Sequence, residues 1–144
     1  MRFTSLVTAA ATLLLAATAS AGDVPSPPTP APDGAKAYFI SPLDGETVHG
    51  PVTVRFGLSG MGVAPAGIVF PNTGHHHLIV DAPLPALDQP IPSDAQHLHF
   101  GKGQTETVLN LAPGKHTLQM VLGDASHRLL DPPVVSGQIN ITVK

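Results

Sequence analysis

From Ala37 onward, apolar residues recur in short alternating or continuous runs broken by proline and glycine, which is the pattern of β-strands and turns. Val52, Val54, Phe56 and Leu58 alternate with Thr53, Arg55 and Gly57, giving a strand with one apolar face. Ahead of it, Ala37-Tyr38-Phe39-Ile40 predicts a first strand, closed by a turn at Pro42-Leu43-Asp44-Gly45. Residues 59–74 read as a loop with one short strand near Ile68-Val69-Phe70. Residues 76–81 predict a strand whose apolar part is Leu78-Ile79-Val80, and Pro83, Pro85, Pro90 and Pro92 make residues 82–94 a loop. A short strand is expected over His97-Leu98-His99-Phe100. Residues 105–111 and 115–122 predict a hairpin about Ala112-Pro113-Gly114, with His116, Leu118, Met120 and Leu122 sharing a face. A loop over 123–133 and a closing strand over 134–143 complete the chain. About seven short strands with turns between them predict an all-β domain over residues 35–144, an immunoglobulin-like antiparallel β-sandwich.

The N-terminus reads differently. Arg2, the short apolar stretch of residues 6–18 and the small residues Ala19-Ser20-Ala21 predict a signal peptide over residues 1–21. That stretch is too short and too rich in Thr and Ala to span about 30 Å of hydrocarbon. The expectation is an exported protein, periplasmic or secreted, with no membrane span after cleavage. Residues 22–34 hold Pro25, Pro27, Pro28, Pro30 and Pro32, and predict an extended tether that holds the domain away from its neighbours.

Composition narrows the chemistry. There is no cysteine, so disulfides, thiolate ligands and thiol nucleophiles are excluded. The net charge of −3, without a basic stripe, argues against a nucleic-acid partner. Ser41, Ser59, Ser93, Ser126 and Ser136 sit in turns or at strand ends with no catalytic motif around them, so the reading leans away from an enzyme and names no catalytic residue. The unusual feature is eight histidines against seven Lys plus Arg.

Seven of these histidines fall in four places: His75-His76-His77, His97-x-His99, His116 and His127. Residues two apart on a strand share a face, about 7 Å apart along it, and two imidazoles there can meet one ion at about 2.0–2.1 Å per nitrogen. His97 with His99, and His75 with His77, are therefore the candidate ligand pairs. His76 points with Leu78 and Val80, and His116 lies beside core-like Leu118 and Met120, so each reads equally as a structural residue. His49, alone before Pro51, reads as a surface residue. Imidazoles without thiolates suit Cu(II) or Zn(II) better than Cu(I). Asp81, Asp94, Gln104, Asp124 and Asp131 are candidates to orient ligand rings. Without a metal, clustered histidines could also serve as a pH switch.

Several ordered motifs carry a resemblance. These are Gly74-His75-His76-His77-Leu78-Ile79-Val80-Asp81, His97-Leu98-His99-Phe100-Gly101-Lys102-Gly103-Gln104-Thr105-Glu106, Pro113-Gly114-Lys115-His116-Thr117-Leu118-Gln119, Leu122-Gly123-Asp124 with His127, and Pro132-Pro133-Val134-Val135-Ser136. Together they resemble a family of small exported histidine-rich bacterial proteins catalogued as a domain of unknown function (DUF4399-like). The resemblance implies a secreted β-rich domain and brings no activity. In its last loop the family reads like His-x-Pro-His, where this chain has His127-Arg128-Leu129-Leu130. His97-x-His99 before Gly101 is also loosely similar to the copper-ligand strand of copper–zinc superoxide dismutases, whose paired cysteines are missing here.

The functional expectation is a periplasmic copper- or zinc-binding protein, a carrier or buffer, using His75, His77, His97 and His99 with His76, His116 and His127 as further candidates. The competing readings are a metal-free structural or interaction module with an envelope protein partner, bound through a strand edge, and a copper metalloenzyme.

Overall fold

The computed structural model describes residues 27–87 and 89–144, so the signal peptide read over residues 1–21 and tether residues 22–26 lie outside the described residues. Nine strands and no helix are found among the described residues: β1 (Lys36–Ser41), β2 (Thr47–Val48), β3 (Val52–Ser59), β4 (Gly62–Val63), β5 (Thr73–Val80), β6 (His97–His99), β7 (Glu106–Leu109), β8 (Gly114–Gly123) and β9 (Ile139–Val143). They form two sheets, one in the order β1-β3-β7 and the other β2-β9-β8-β5-β4, with β6 also paired to β5.

One core lies between the sheets. The alternation on β3 buries Val52, Val54 and Phe56 from one side, and β7 adds Leu109. From the other side come Leu78 and Val80 of β5, Leu118, Met120 and Leu122 of β8, and Ile139, Ile141 and Val143 of β9. Apolar burial of this kind is the main stabilising force available to a chain without disulfides.

Three expectations are corrected. The pairing is not wholly antiparallel, because β2 runs parallel to β9 and β4 parallel to β5. β7 and β8 do not form a hairpin. β7 pairs with β3, while β8 pairs with β5 and β9, so residues 110–113 carry the chain from one sheet to the other. In this way Leu109 and the Leu118-Met120-Leu122 face enter the core from opposite sides. Ile68-Val69-Phe70 is not a strand but an exposed turn, flanked by Pro65 and Pro71 with Gly67 at φ +80, and β4 takes the place beside β5.

β5 carries the three consecutive histidines. It is buried on both faces, as is most of the part of β8 that pairs with it. Its outer face is covered by the loops on either side of β6 and β8, where Ile79, Ile91, Val121 and Leu129 form a second, smaller apolar cluster. The N-terminal segment also differs from a free spacer. The Ala31 N–H donates to the Asp131 carbonyl (2.9 Å) and the Asp131 N–H to the Thr29 carbonyl (3.0 Å), so residues 29–31 are docked along the loop after β8.

Candidate metal centre

The alternation of β5 sorts its three consecutive histidines. His76 shares the inner face with Leu78 and Val80, and its ring lies against Phe56 at 5.1 Å. His75 and His77 share the outer face with Ile79. In the β5–β6 register His77 stands opposite His99, and in the β5–β8 register His75 stands opposite Gly123, from which the loop bearing His127 departs.

Four imidazoles therefore converge on the outer face. Ring centroids are 4.8 Å apart for His75–His77, 5.0 Å for both His75–His99 and His77–His99, 5.0 Å for His75–His127 and 4.8 Å for His99–His127. The Nε2 atoms of His75 and His77 approach to 2.9 Å, and those of His99 and His127 to 3.2 Å. Ligand nitrogens of His75, His77 and His99 all lie within 4.8 Å of one another. At metal–nitrogen bonds of about 2.0–2.1 Å, ligand nitrogens sit roughly 2.9 Å apart across a right angle and roughly 3.3 Å apart across a tetrahedral angle. The two close pairs match that spacing.

The cluster has a closed and an open side. His75 and His77 are fully buried, His127 is half-buried and His99 is exposed. Burial, reinforced by His127 and His99, lowers the His75 pKa to about 4, with Asp124 opposing the change. Burial and then His75, His99 and His127 lower His77 to about 3. His99 is also lowered, by burial and then by His127. At neutral pH these three rings are uncharged, and each keeps a lone pair for a cation.

Two glycines give the rings room. A Cβ on Gly123 would stand 2.9 Å from His77 Nε2 and 3.2 Å from Ile91 Cδ1, and a Cβ on Gly101 would overlap the His99 ring. His77 Nδ1 is buried without a hydrogen-bond partner among the described residues, so packing and the Nε2 contact with His75 seat that ring. Gly123→Ala keeps every histidine, yet it is expected to weaken Zn(II) binding by about tenfold and to cost about 1–3 kcal/mol of stability through overpacking. Calorimetric titration and chemical denaturation measure the two effects. Unchanged affinity would show that the His77 ring does not depend on the space at Gly123.

The other candidate histidines stand apart. His97 follows the same face as His99, but its Nδ1 is bound to Asp94 Oδ1 at 2.9 Å and it faces Ile79 across the strands. Asp94 also accepts the peptide N–H groups of Gln96 and His97, and the His97 ring first, then these peptide bonds, hold its carboxyl below the usual range. His116 uses both ring nitrogens, Nδ1 donating to Asp81 Oδ2 (2.7 Å) and Nε2 to the Ala112 carbonyl (2.8 Å). The Asp81 bond and then the Ala112 bond raise the His116 pKa, and with both ring nitrogens on oxygen acceptors it ties Asp81 to Ala112 and has no lone pair for a metal. His76 has neither nitrogen partnered among the described residues and lies on the opposite face from the cluster. His49 is exposed.

Sequence spacing proposed the pair His97–His99, whereas the geometry joins His99 to His127, 28 residues away. The departure from the His-x-Pro-His pattern is also placed. Leu130 is buried in the inter-sheet core and Leu129 in the outer cluster, so position 130 faces away from the imidazoles. In the sequence Gly101 stands only as part of the His97-x-His99 likeness and Gly123 only as the residue before Asp124, and neither reads there as room for a ring.

A family model described as "Domain of unknown function (DUF4399)" matches residues 54–144. No curated protein and no solved structure matches the chain. Among the described residues no helix is long and apolar enough to cross a membrane.

Proposed function

The chain belongs to the DUF4399 family, described as a domain of unknown function, and we propose from its site that it is a copper- or zinc-binding protein of the periplasm, a carrier or buffer. One observation carries this reading: His75, His77, His99 and His127, drawn from two strands and a loop, bring their rings together on one face with the nitrogens of the close pairs at metal-ligand spacing. Four imidazoles without thiolate or carboxylate favour Cu(II) or Zn(II). Among the described residues Met120 is in the inter-sheet core and Met61 packs against that core, so neither joins the imidazoles as a thioether donor for Cu(I). A partly open cluster, with His99 exposed, suits an ion that must enter and leave.

Two sheets closing on one core support the finer fold reading of an immunoglobulin-like sandwich. An envelope-module role accounts for His97 and His116, which are bound to Asp94 and Asp81, but gives no reason for four imidazoles from two strands and a loop to gather on one face.

The test is calorimetric titration of the purified protein with Cu(II) and with Zn(II) at neutral pH. The expected result is one ion per chain with submillimolar affinity. No binding tighter than millimolar for either ion would overturn the proposal.

A further inference from the structure

His127 is held by a loop, yet its ring must remain beside His99 for the fourth imidazole to contribute. The group that holds the loop is Asp124. Its carboxylate is 5% exposed, and Oδ1 accepts the peptide N–H groups of Ser126 (2.8 Å) and Arg128 (3.0 Å), the two neighbours of His127. The main chain closes the same loop. The His127 N–H donates to the Asp124 carbonyl (3.0 Å), and the Asp124 N–H to the Arg128 carbonyl (2.9 Å). These bonds hold His127 at φ +61, a left-handed conformation that is uncommon for residues with a Cβ, though less so for His than for most.

The second carboxylate oxygen reaches much further along the chain. Oδ2 accepts the Thr29 hydroxyl at 2.7 Å, across 95 residues of sequence. Thr29 is itself fixed, because residues 29–31 pair with Asp131 just beyond the loop. The N-terminal segment thus grips the His127 loop at Asp124 and at Asp131. Asp124 also places a negative charge near His75, where it favours a cation.

We propose that Asp124, locked by Thr29, is the positioning residue of the metal centre, so that residues 29–31 belong to the site although they precede the 54–144 family region. This rests on the metal-binding reading. Thr29 sets the rotamer of Asp124, Asp124 sets the loop, and the loop aims the His127 ring. Residues that orient a ligand in this way typically alter metal affinity by about 10–100-fold.

The test compares Thr29→Val, which keeps the shape and removes the hydroxyl, with Thr29→Ser, which keeps the hydroxyl. Each is made in the native chain and in His127→Ala. Zn(II) affinity is read by calorimetry, and the imidazole nitrogen–proton NMR signals are read on the metal-free protein. Thr29→Val is expected to weaken Zn(II) binding by about tenfold, and to shift the His127 ring signals while leaving those of His116 in place. Thr29→Ser restores both, and Thr29→Val adds nothing further in His127→Ala. The proposal is overturned if Thr29→Val changes neither readout, if it weakens binding equally with and without His127, or if Ser and Val behave alike. Should the native protein bind neither Zn(II) nor Cu(II), the metal reading falls, and the His127 ring signals still decide whether Thr29 and Asp124 position that ring.

Discussion

A chain carrying His99→Ala and His127→Ala is expected to lose at least about 100-fold in Cu(II) or Zn(II) affinity, whereas one carrying His97→Ala and His116→Ala keeps its affinity within about threefold. The first pair supplies two of the four convergent imidazoles from the open side of the cluster, where alanine opens no cavity in either apolar core. The buried His75–His77 pair remains, but two ligands on one strand leave half of a tetrahedral ion to water. The second pair consists of rings already committed to Asp94 and to Asp81 with the Ala112 carbonyl. Calorimetry on both double variants, with far-ultraviolet circular dichroism to verify folding, separates the outcomes. If His97→Ala, His116→Ala weakened binding as much as the first variant, the centre would be built on the strand pair His97–His99 instead, and the convergence of His75, His77, His99 and His127 would be irrelevant to binding.

His76→Leu is expected to make the protein more stable, and increasingly so in acid. His76 is 1% exposed, lies between the sheets against Phe56, and has both ring nitrogens unpartnered among the described residues. A buried polar group without a partner costs about 1–3 kcal/mol, so replacing the ring by an apolar side chain should gain about 1–2 kcal/mol at pH 7.5. Burial lowers the His76 pKa from 6.5 to about 4. Above pH 6.5 the folded and unfolded chains both carry a neutral ring, and this residue adds no pH dependence. Between pH 6.5 and about 4 the unfolded chain takes up a proton that the folded chain refuses, so stability falls with pH by about 1.4 kcal/mol per unit. At pH 5.0 the advantage of His76→Leu should therefore exceed that at pH 7.5 by about 2 kcal/mol. Chemical denaturation at the two pH values measures it, and Zn(II) titration should find the affinity unchanged because the residue faces away from the cluster. A variant less stable than the native chain at both pH values would mean that His76 has a partner in the core.

His75 and His77 are linked to acid in the same direction, since burial first and then their neighbours lower them to about 4 and about 3. The metal-free fold thus carries its own acid sensitivity, and a bound cation offsets it by mass action.

The reach of the sequence is visible in particular elements. Alternation at Val52-Val54-Phe56 and the apolar run Leu78-Ile79-Val80 identified two central strands, because a two-residue period is a local property of the chain. The same period placed His75 and His77 on one face and His76 with Leu78 on the other. The absence of cysteine excluded thiolate donors, and the excess of histidine pointed to imidazole as the candidate donor, before any fold was known. Which sheet β7 and β8 would join was not local, since each has an apolar face that either pairing could bury, and packing of the two sheets decided it. His127 in place of His97, the space left at Gly123 and Gly101, and the reach of Thr29 to Asp124 were likewise decided only in three dimensions. The physical reason is common to all of them. Strand period and residue type act over a few residues, whereas a ligand cluster is made by register between strands and by loops anchored far away in sequence, and these form only when the whole core closes.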